Sequence, residues 1–182
     1  MTYAIELFFN KEMEEKLFYY IEKLAKEKIT TRFFDYKARP HVALAGFKDV
    51  DEKECIEKLK EFAKKHKAIP AYIGSLGMFP DSRTIFASPI MTESMYQIHR
   101  ELHESLCVFD TRGYEWYLPG RWVPHSTLAM MRGEDDEAFY KACELVLREF
   151  EKVNGVFASI GLVKITPYAE EVFVTELMGE QE

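Results

Sequence analysis

The apolar positions along the chain follow two different spacings. Runs rich in aromatic and β-branched residues predict strands, and apolar positions three or four residues apart predict helices. The predicted strands cover residues 3–9, 32–36, 41–47, 72–78, 84–87, 126–131, 156–165 and 171–177. The predicted helices cover residues 11–28, the segment from Asp51 to the lysine-rich stretch at His66, about 92–108, and 135–151. Strands and helices therefore follow one another along the whole chain.

The chain contains an internal repeat. The sequence PHVALA at residues 40–45 returns as PHSTLA at residues 124–129, an offset of 84, the difference between 125 and 41. The same offset carries Asp51 onto Asp135 and the segment 75–77 onto 159–161, and a slightly larger one aligns 84–87 with 171–174. A strand–helix–strand unit therefore follows each Pro-His pair.

This repeat predicts one bilobal domain over residues 1–182, with repeat halves of approximately 1–82 and 83–182. We expect two pseudo-symmetric lobes, each with an antiparallel sheet and two helices, around a central cleft. An approximate two-fold axis brings equivalent residues face to face. His41 and His125 are therefore expected to converge, although a repeat can also stack its units instead of facing them.

Two imidazoles across a cleft suit phosphodiester chemistry. An unperturbed histidine titrates near pH ~6.5, so one can accept a proton from an attacking water or hydroxyl while the other donates to the departing oxygen. Side chains two positions apart in a strand share a face, which places Thr127 beside His125 and Ala43 beside His41. The Thr127 hydroxyl can donate to a phosphate oxygen. This scheme needs no metal and no cofactor.

The two Pro-His segments resemble the paired His-x-Thr/Ser motifs of the 2H phosphoesterase superfamily, especially its 2′-5′ RNA ligase-like branch. The segment WVPHSTLA at residues 122–129 and the order of elements carry the resemblance over nearly the whole chain. It implies a bilobal α+β fold and metal-independent cyclisation, hydrolysis or ligation at 2′,3′-cyclic or 2′-5′-linked phosphates. It also implies that His41 and His125 form the acid–base pair and that Thr127 binds phosphate.

Ala43 departs from that motif, which has Thr or Ser at this position. Losing one hydrogen bond to a charged oxygen costs about 1.5–3 kcal/mol, or about 10- to 150-fold in rate. The alternative hypothesis is therefore a weakened, nucleotide-binding module of the same fold. A second alternative is a metal-dependent hydrolase that uses His99 and His103, which lie one helical turn apart.

Several further residues are candidates for substrate contact. Positive charge gathers near each histidine segment, where Arg39 and Arg121 are the candidates to meet phosphate. Tyr117 and Trp122 precede His125 in an irregular stretch, and Phe79 lies in the hairpin between the motifs. These aromatic side chains are candidates to stack on a base, although they can equally cover the end of the core.

Composition limits the possible partners. A net charge of −7, from 31 acidic and 24 basic residues, argues against a broad surface for duplex DNA. The partner we expect is a small nucleotide or an RNA end carrying a 2′,3′-cyclic phosphate or a 2′-5′ linkage. The three dispersed cysteines predict reduced thiols and a cytoplasmic location. We expect no signal peptide, no membrane span and a monomer.

Overall fold

The computed structural model describes residues 2–178. The strands are β1 (Tyr3–Phe9), β2 (His41–Phe47), β3 (Ile69–Phe79), β4 (Thr84–Pro89), β5 (Ser126–Met130), β6 (Val153–Ile165) and β7 (Ala169–Glu176). The helices are α1 (Lys11–Lys26), α2 (Arg32–Asp35), α3 (Glu52–Lys65), α4 (Glu93–Ser105) and α5 (Asp136–Glu149), with a 3₁₀ turn at Glu115–Tyr117. The α+β prediction is confirmed. Within the described part of the chain, no helix is both long and apolar enough to cross a membrane.

Helices α3 and α5 each begin at a capping side chain. Asp51 accepts a hydrogen bond from the backbone of Glu54 at the start of α3, and Asp135 accepts one from Ala138 at the start of α5. Such caps satisfy backbone N–H groups that have no partner inside the helix, and each contributes about 1 kcal/mol. The two halves of the repeat therefore share an equivalent helix start, at Asp51 and at Asp135, as well as an equivalent strand.

One predicted strand is a helix. Residues 32–36 contain three aromatic side chains, which favour a strand by composition, but α2 forms there instead. Only Phe33 is buried, where it packs with Ile21 and Ala38. The aromatic composition misled because a strand also needs a neighbouring strand, and the sheet provides none at this position.

The seven strands form one antiparallel sheet in the order β2-β1-β6-β3-β4-β5, and β7 also pairs with β6. The long strand β6 joins the two parts of this sheet, since its first residues pair with β3 and its later residues pair with β1 and β7. We call β2, β1, β6 and β7 the His41 lobe, and β5, β4 and β3 the His125 lobe. Each lobe therefore contains strands from both halves of the sequence.

The pairing of β3 with β6 marks the pseudo-two-fold axis. Ala71 lies opposite Gly155, Ile69 opposite Phe157, and Ile73 opposite Val153. The central pair differs by 84 residues, the same offset that relates the two histidines. Exchanging the two halves therefore turns the pair Ile69–Phe157 into the pair Val153–Ile73, and the register is unchanged.

The outer strand pairs repeat as well. The register of β1 with β2 shifts so that Leu44 is skipped, and the register of β4 with β5 shifts so that Leu128 is skipped. These bulges lie at equivalent positions and show that β4 corresponds to β1. The predicted correspondence of residues 84–87 with 171–174 is therefore wrong, because β7 lies on the other side of β6 from β1.

The sheet curls until its two end strands meet. Five strand spacings of ~4.8 Å would separate β2 from β5 by ~24 Å in a flat sheet. Instead the two strands approach within 8 Å between Cα atoms. The helices pack as two pairs, α1 with α5 and α3 with α4, and α3 also covers β6 and β7. The curled sheet brings the two strand ends that carry the histidines to one region.

Candidate active site

His41 and His125 have the same local geometry. The Nδ1–H of His41 donates to the carbonyl of Arg39 at 2.8 Å, and the Nδ1–H of His125 donates to the carbonyl of Val123 at 2.7 Å. In each case the acceptor lies two residues earlier. Because a carbonyl only accepts, this bond assigns the proton to Nδ1 and leaves Nε2 as the nitrogen that can exchange a proton.

The residues next to the histidines differ between the lobes. In the His125 lobe, Thr127 lies opposite Phe86 of β4, and in the His41 lobe, Ala43 lies opposite Glu6 of β1. These cross-strand pairs occupy equivalent positions. The His41 lobe therefore lacks the hydroxyl that the His125 lobe has, and it carries a carboxyl group where the other lobe carries a phenyl ring.

Aromatic rings enclose His125. The ring of Phe79 meets the imidazole edge-on with centroids 4.9 Å apart, and the ring of Phe86 lies 5.3 Å away. Gly77 makes room for this arrangement, because a Cβ there would overlap the ring of Phe86. Phe79, a candidate from the sequence, thus lies directly beside His125.

Charged groups surround His41. Glu6 is only 3% exposed, and its Oε1 lies 3.4 Å from Nε2 of the imidazole. Arg39 binds Glu14 through Nε at 2.9 Å and approaches Glu171 at 3.5 Å. Its guanidinium also lies 4.3 Å from the ring centroid of Phe8. The positive charge expected near His41 is therefore offset by the carboxylates of Glu14 and Glu171, which belong to two other elements.

Burial controls the titration of the site. It lowers the pKa of both His41 and His125 below the ordinary value, since desolvation penalises the charged imidazole. The charge of His41 lowers the pKa of His125 further, which places the two rings within electrostatic range. Burial raises the pKa of Glu6 to about 8, and the charge of Glu171 acts in the same direction.

The other predicted contact residues divide between two environments. Tyr117 is half-buried; burial raises the pKa of its hydroxyl and the charge of Glu6 contributes, so this ring lies near the histidines. Trp122 stacks on His99 with centroids 3.9 Å apart, and its indole N–H donates to the carbonyl of Ala43 at 2.9 Å. Trp122 therefore covers the edge of β2, and His99 occupies one face of its indole ring. Arg121 is exposed in the loop before His125.

His99 and His103 hold the same strand edge. Nε2 of His103 donates to the carbonyl of Leu44 at 3.0 Å, and Nε2 of His99 donates to that carbonyl at 3.2 Å and to the carbonyl of Tyr117 at 2.8 Å. These bonds commit both imidazoles to the backbone. Within residues 2–178 no group of three or more His, Cys, Asp or Glu side chains is arranged to hold a metal ion.

Glu6 and Phe86 are parts of the site that the sequence patterns did not single out. Glu6 had one visible signal, since it is the only charged residue in the otherwise apolar strand YAIELFF. A carboxyl group in a strand that is buried along its whole length needs a partner or a function. Phe86 carried no such signal, because an aromatic side chain is ordinary in a strand.

The sequence assigns the chain to a known protein family. The profile of the 2′-5′ RNA ligase superfamily matches residues 14–167, and the chain belongs to this family of 2H phosphoesterases. The duplicated histidine segments, the predicted resemblance and the fold agree with this membership. A search of curated proteins finds no match to the chain.

Solved structures share the fold. The protein TT0787 of Thermus thermophilus superposes with a TM-score of 0.65 at 17% identity, with 100% of each chain covered. Escherichia coli LigT in complex with NADP+ gives a TM-score of 0.60 at 11% identity, with 97% of this chain and 98% of LigT covered. At these identities the likeness concerns the fold.

Proposed function

We propose that the protein is a metal-independent phosphoesterase that acts on RNA ends or small cyclic nucleotides through His41 and His125. One observation carries the proposal. The two histidines occupy equivalent positions in the repeat, use Nδ1 for the same backbone bond, and keep Nε2 as the nitrogen that can exchange a proton. Packing alone does not require this arrangement twice, whereas acid–base catalysis at phosphorus needs two such groups.

The geometry supports a hydrolytic reaction at a 2′,3′-cyclic phosphate. One imidazole takes a proton from water as the new P–O bond forms, and the other gives a proton to the ribose oxygen as the old P–O bond breaks. The Thr127 hydroxyl donates to a non-bridging oxygen and stabilises the developing charge. In the reverse direction the two histidines exchange roles, which also allows cyclisation or ligation.

The substrate class is inferred from the site and its relatives. Aromatic rings at Phe79 and Tyr117 suit a base, and the net charge of −7 disfavours a long nucleic acid. Escherichia coli LigT has been solved with 3′-AMP, with ATP and with phosphate. A mononucleotide or the last nucleotides of an RNA are therefore the ligands we assign to the cleft. We expect a monomer in the cytoplasm and one domain over residues 1–182, built from halves of approximately 1–82 and 83–182.

The test offers the protein 2′,3′-cyclic nucleotides and short RNAs with cyclic-phosphate ends, with and without a chelator. We expect a phosphomonoester product, no effect of the chelator, and a loss of about 10²- to 10⁴-fold in kcat/KM for His41→Ala and for His125→Ala. His66→Gln is the matched control, because His66 contacts Phe62 of α3 and Glu101 of α4 and neither of the two histidines. Activity that survives loss of His41 and vanishes with chelator would support the metal-dependent alternative.

Ala43 motivates a second candidate function. Without a hydroxyl at this position, the His41 lobe offers phosphate one donor fewer than the His125 lobe. A nucleotide-binding module of the same fold would bind the product nucleotide without converting any cyclic phosphate. Calorimetry with 3′-AMP beside the hydrolysis assay separates the two functions.

A further inference from the structure

Both histidines have lowered pKa values, and this creates a requirement for a further group. At pH 7 a buried neutral imidazole is ready to act as a base, but an acid must carry a proton. Two neutral imidazoles supply two bases and no acid. If the proposed reaction runs near neutral pH, another group in the cleft has to hold the missing proton.

Glu6 is in position to hold it. The carboxyl belongs to β1, the strand that pairs with β2, and lies 3.4 Å from Nε2 of His41. No other ion-pair contact reaches Glu6 within residues 2–178. The equivalent position in the His125 lobe is Phe86, which cannot bind a proton. The proton store is therefore present beside one histidine and absent beside the other.

We propose that Glu6 is a positioning residue that stores one proton beside Nε2 of His41, and that this makes His41 the acid and His125 the base in hydrolysis. This inference rests on the proposed function. It goes beyond the two-histidine scheme because it assigns the direction of proton flow and adds a group that the repeat does not contain.

The proton count balances through one turnover. The Glu6 carboxyl gives its proton to Nε2 of His41, and that nitrogen passes a proton to the ribose oxygen as its bond to phosphorus breaks. His125 takes a proton from the attacking water as the new P–O bond forms. Afterwards the Glu6 carboxylate regains a proton from solvent and the His125 imidazolium releases one. The net reaction consumes one water per cyclic phosphate.

Other titratable and charged groups lie within electrostatic range of this pair. They are Glu14 of α1, Tyr36 after α2, Arg39 before β2, Tyr117 of the 3₁₀ turn, His125 before β5, and Glu171 of β7. Arg39 stabilises a carboxylate at Glu6, and Glu171 opposes it. Burial is the largest influence on Glu6, and the stored proton follows from that burial rather than from any single neighbour.

The decisive variant is Glu6→Gln, which keeps the size of the side chain and its capacity for hydrogen bonds but cannot store the proton. In the wild type the alkaline limb of kcat/KM should lie near pH 8, the value to which burial raises the pKa of Glu6. In the variant the limb should fall below about 6.5, the ordinary value for histidine, because burial lowers the pKa of His41. The loss in kcat/KM should then exceed about 16-fold at pH 8 and about twofold at pH 6.5.

A purely structural role predicts a different pattern. In that case Glu6→Gln lowers kcat/KM by one factor at every pH, or changes nothing, and either result overturns the proposal. Glu6→Asp keeps a carboxyl and should restore much of the alkaline limb. Glu170→Gln removes a carboxyl group from an exposed position on β7 and should leave the profile unchanged.

A second readout does not depend on turnover. The Cε1–H resonance of His41 should show an additional titration step near pH 8 in the wild type, which Glu6→Gln should abolish. If no cyclic phosphate is hydrolysed but this step is present and disappears in the variant, the proposed function fails and the Glu6–His41 pair stands. A His41 titration that is identical in both proteins overturns the pair.

Discussion

The Thr127 hydroxyl offers a quantitative test of how the cleft holds phosphate. Thr127 is half-buried beside His125, and no hydrogen bond within residues 2–178 engages its hydroxyl. The group is therefore free to donate to a phosphate oxygen. Thr127→Val removes this donor and nearly preserves the shape of the side chain, so the substitution isolates the hydrogen bond.

A hydrogen bond to a charged group contributes about 1.5–3 kcal/mol. If the bond is made to the transition state, kcat/KM should fall by about 10- to 150-fold. If the bond is equally strong in the ground state, its loss would raise KM and leave kcat unchanged. The two parameters therefore also report when the bond forms. The assay is initial-rate hydrolysis of a 2′,3′-cyclic nucleotide at the pH optimum.

Thr84→Val is the matched control for this measurement. Thr84 lies on β4 of the same lobe, is buried, and shares a hydrogen bond of 2.8 Å with Ser82. Its loss should lower the free energy of unfolding by about 1 kcal/mol and leave kcat/KM within about twofold. If Thr127→Val also leaves kcat/KM within about twofold, the hydroxyl does not hold the reacting phosphate.

Three further predictions follow from the same geometry. Because burial lowers the pKa of His125, the acid limb of kcat/KM should lie below about pH 6.5, and a limb above that value would contradict the assignment of this group as base. Ala43→Ser should raise kcat/KM by less than about twofold, because the new hydroxyl would face Glu6 across the strand pair; a gain of about tenfold would show that it reaches phosphate instead. Trp122→Phe should lower the Tm by about 2–4 °C in a thermal melt, since it removes the bond to the carbonyl of Ala43, and an unchanged Tm would show that this edge needs no donor.

The sequence was sufficient where the signal is local or repeated. Strand β2 and the starts of α3 and α5 were predicted as the structure has them, because apolar runs and capping residues act over a few neighbours. The repeated Pro-His segments likewise singled out His41 and His125 as candidates. Residues 32–36 were assigned the wrong structure, because the absence of a partner strand is a property of the whole fold.

The electrostatic surroundings of the site could not be predicted from the sequence, because they depend on contacts between distant segments. Arg39 looked like a free cation in the sequence, but Glu14 and Glu171 approach it from elements that are distant along the chain. The contact of Glu6 with His41 likewise depends on the pairing of β1 with β2. Trp122 looked like a stacking platform, and only the packing of α4 against β2 shows that His99 occupies one of its faces.

Two histidines from opposite ends of the sheet should serve one phosphate, and a single titration can follow both imidazoles. The protein is titrated with 3′-AMP, and the Cε1–H signals of His41 and His125 are recorded by NMR. Both signals should shift and should saturate with a single Kd, and adenosine without phosphate should produce much smaller shifts. A response of only one histidine, or two different Kd values, would show that the rings do not share a phosphate and would contradict the account.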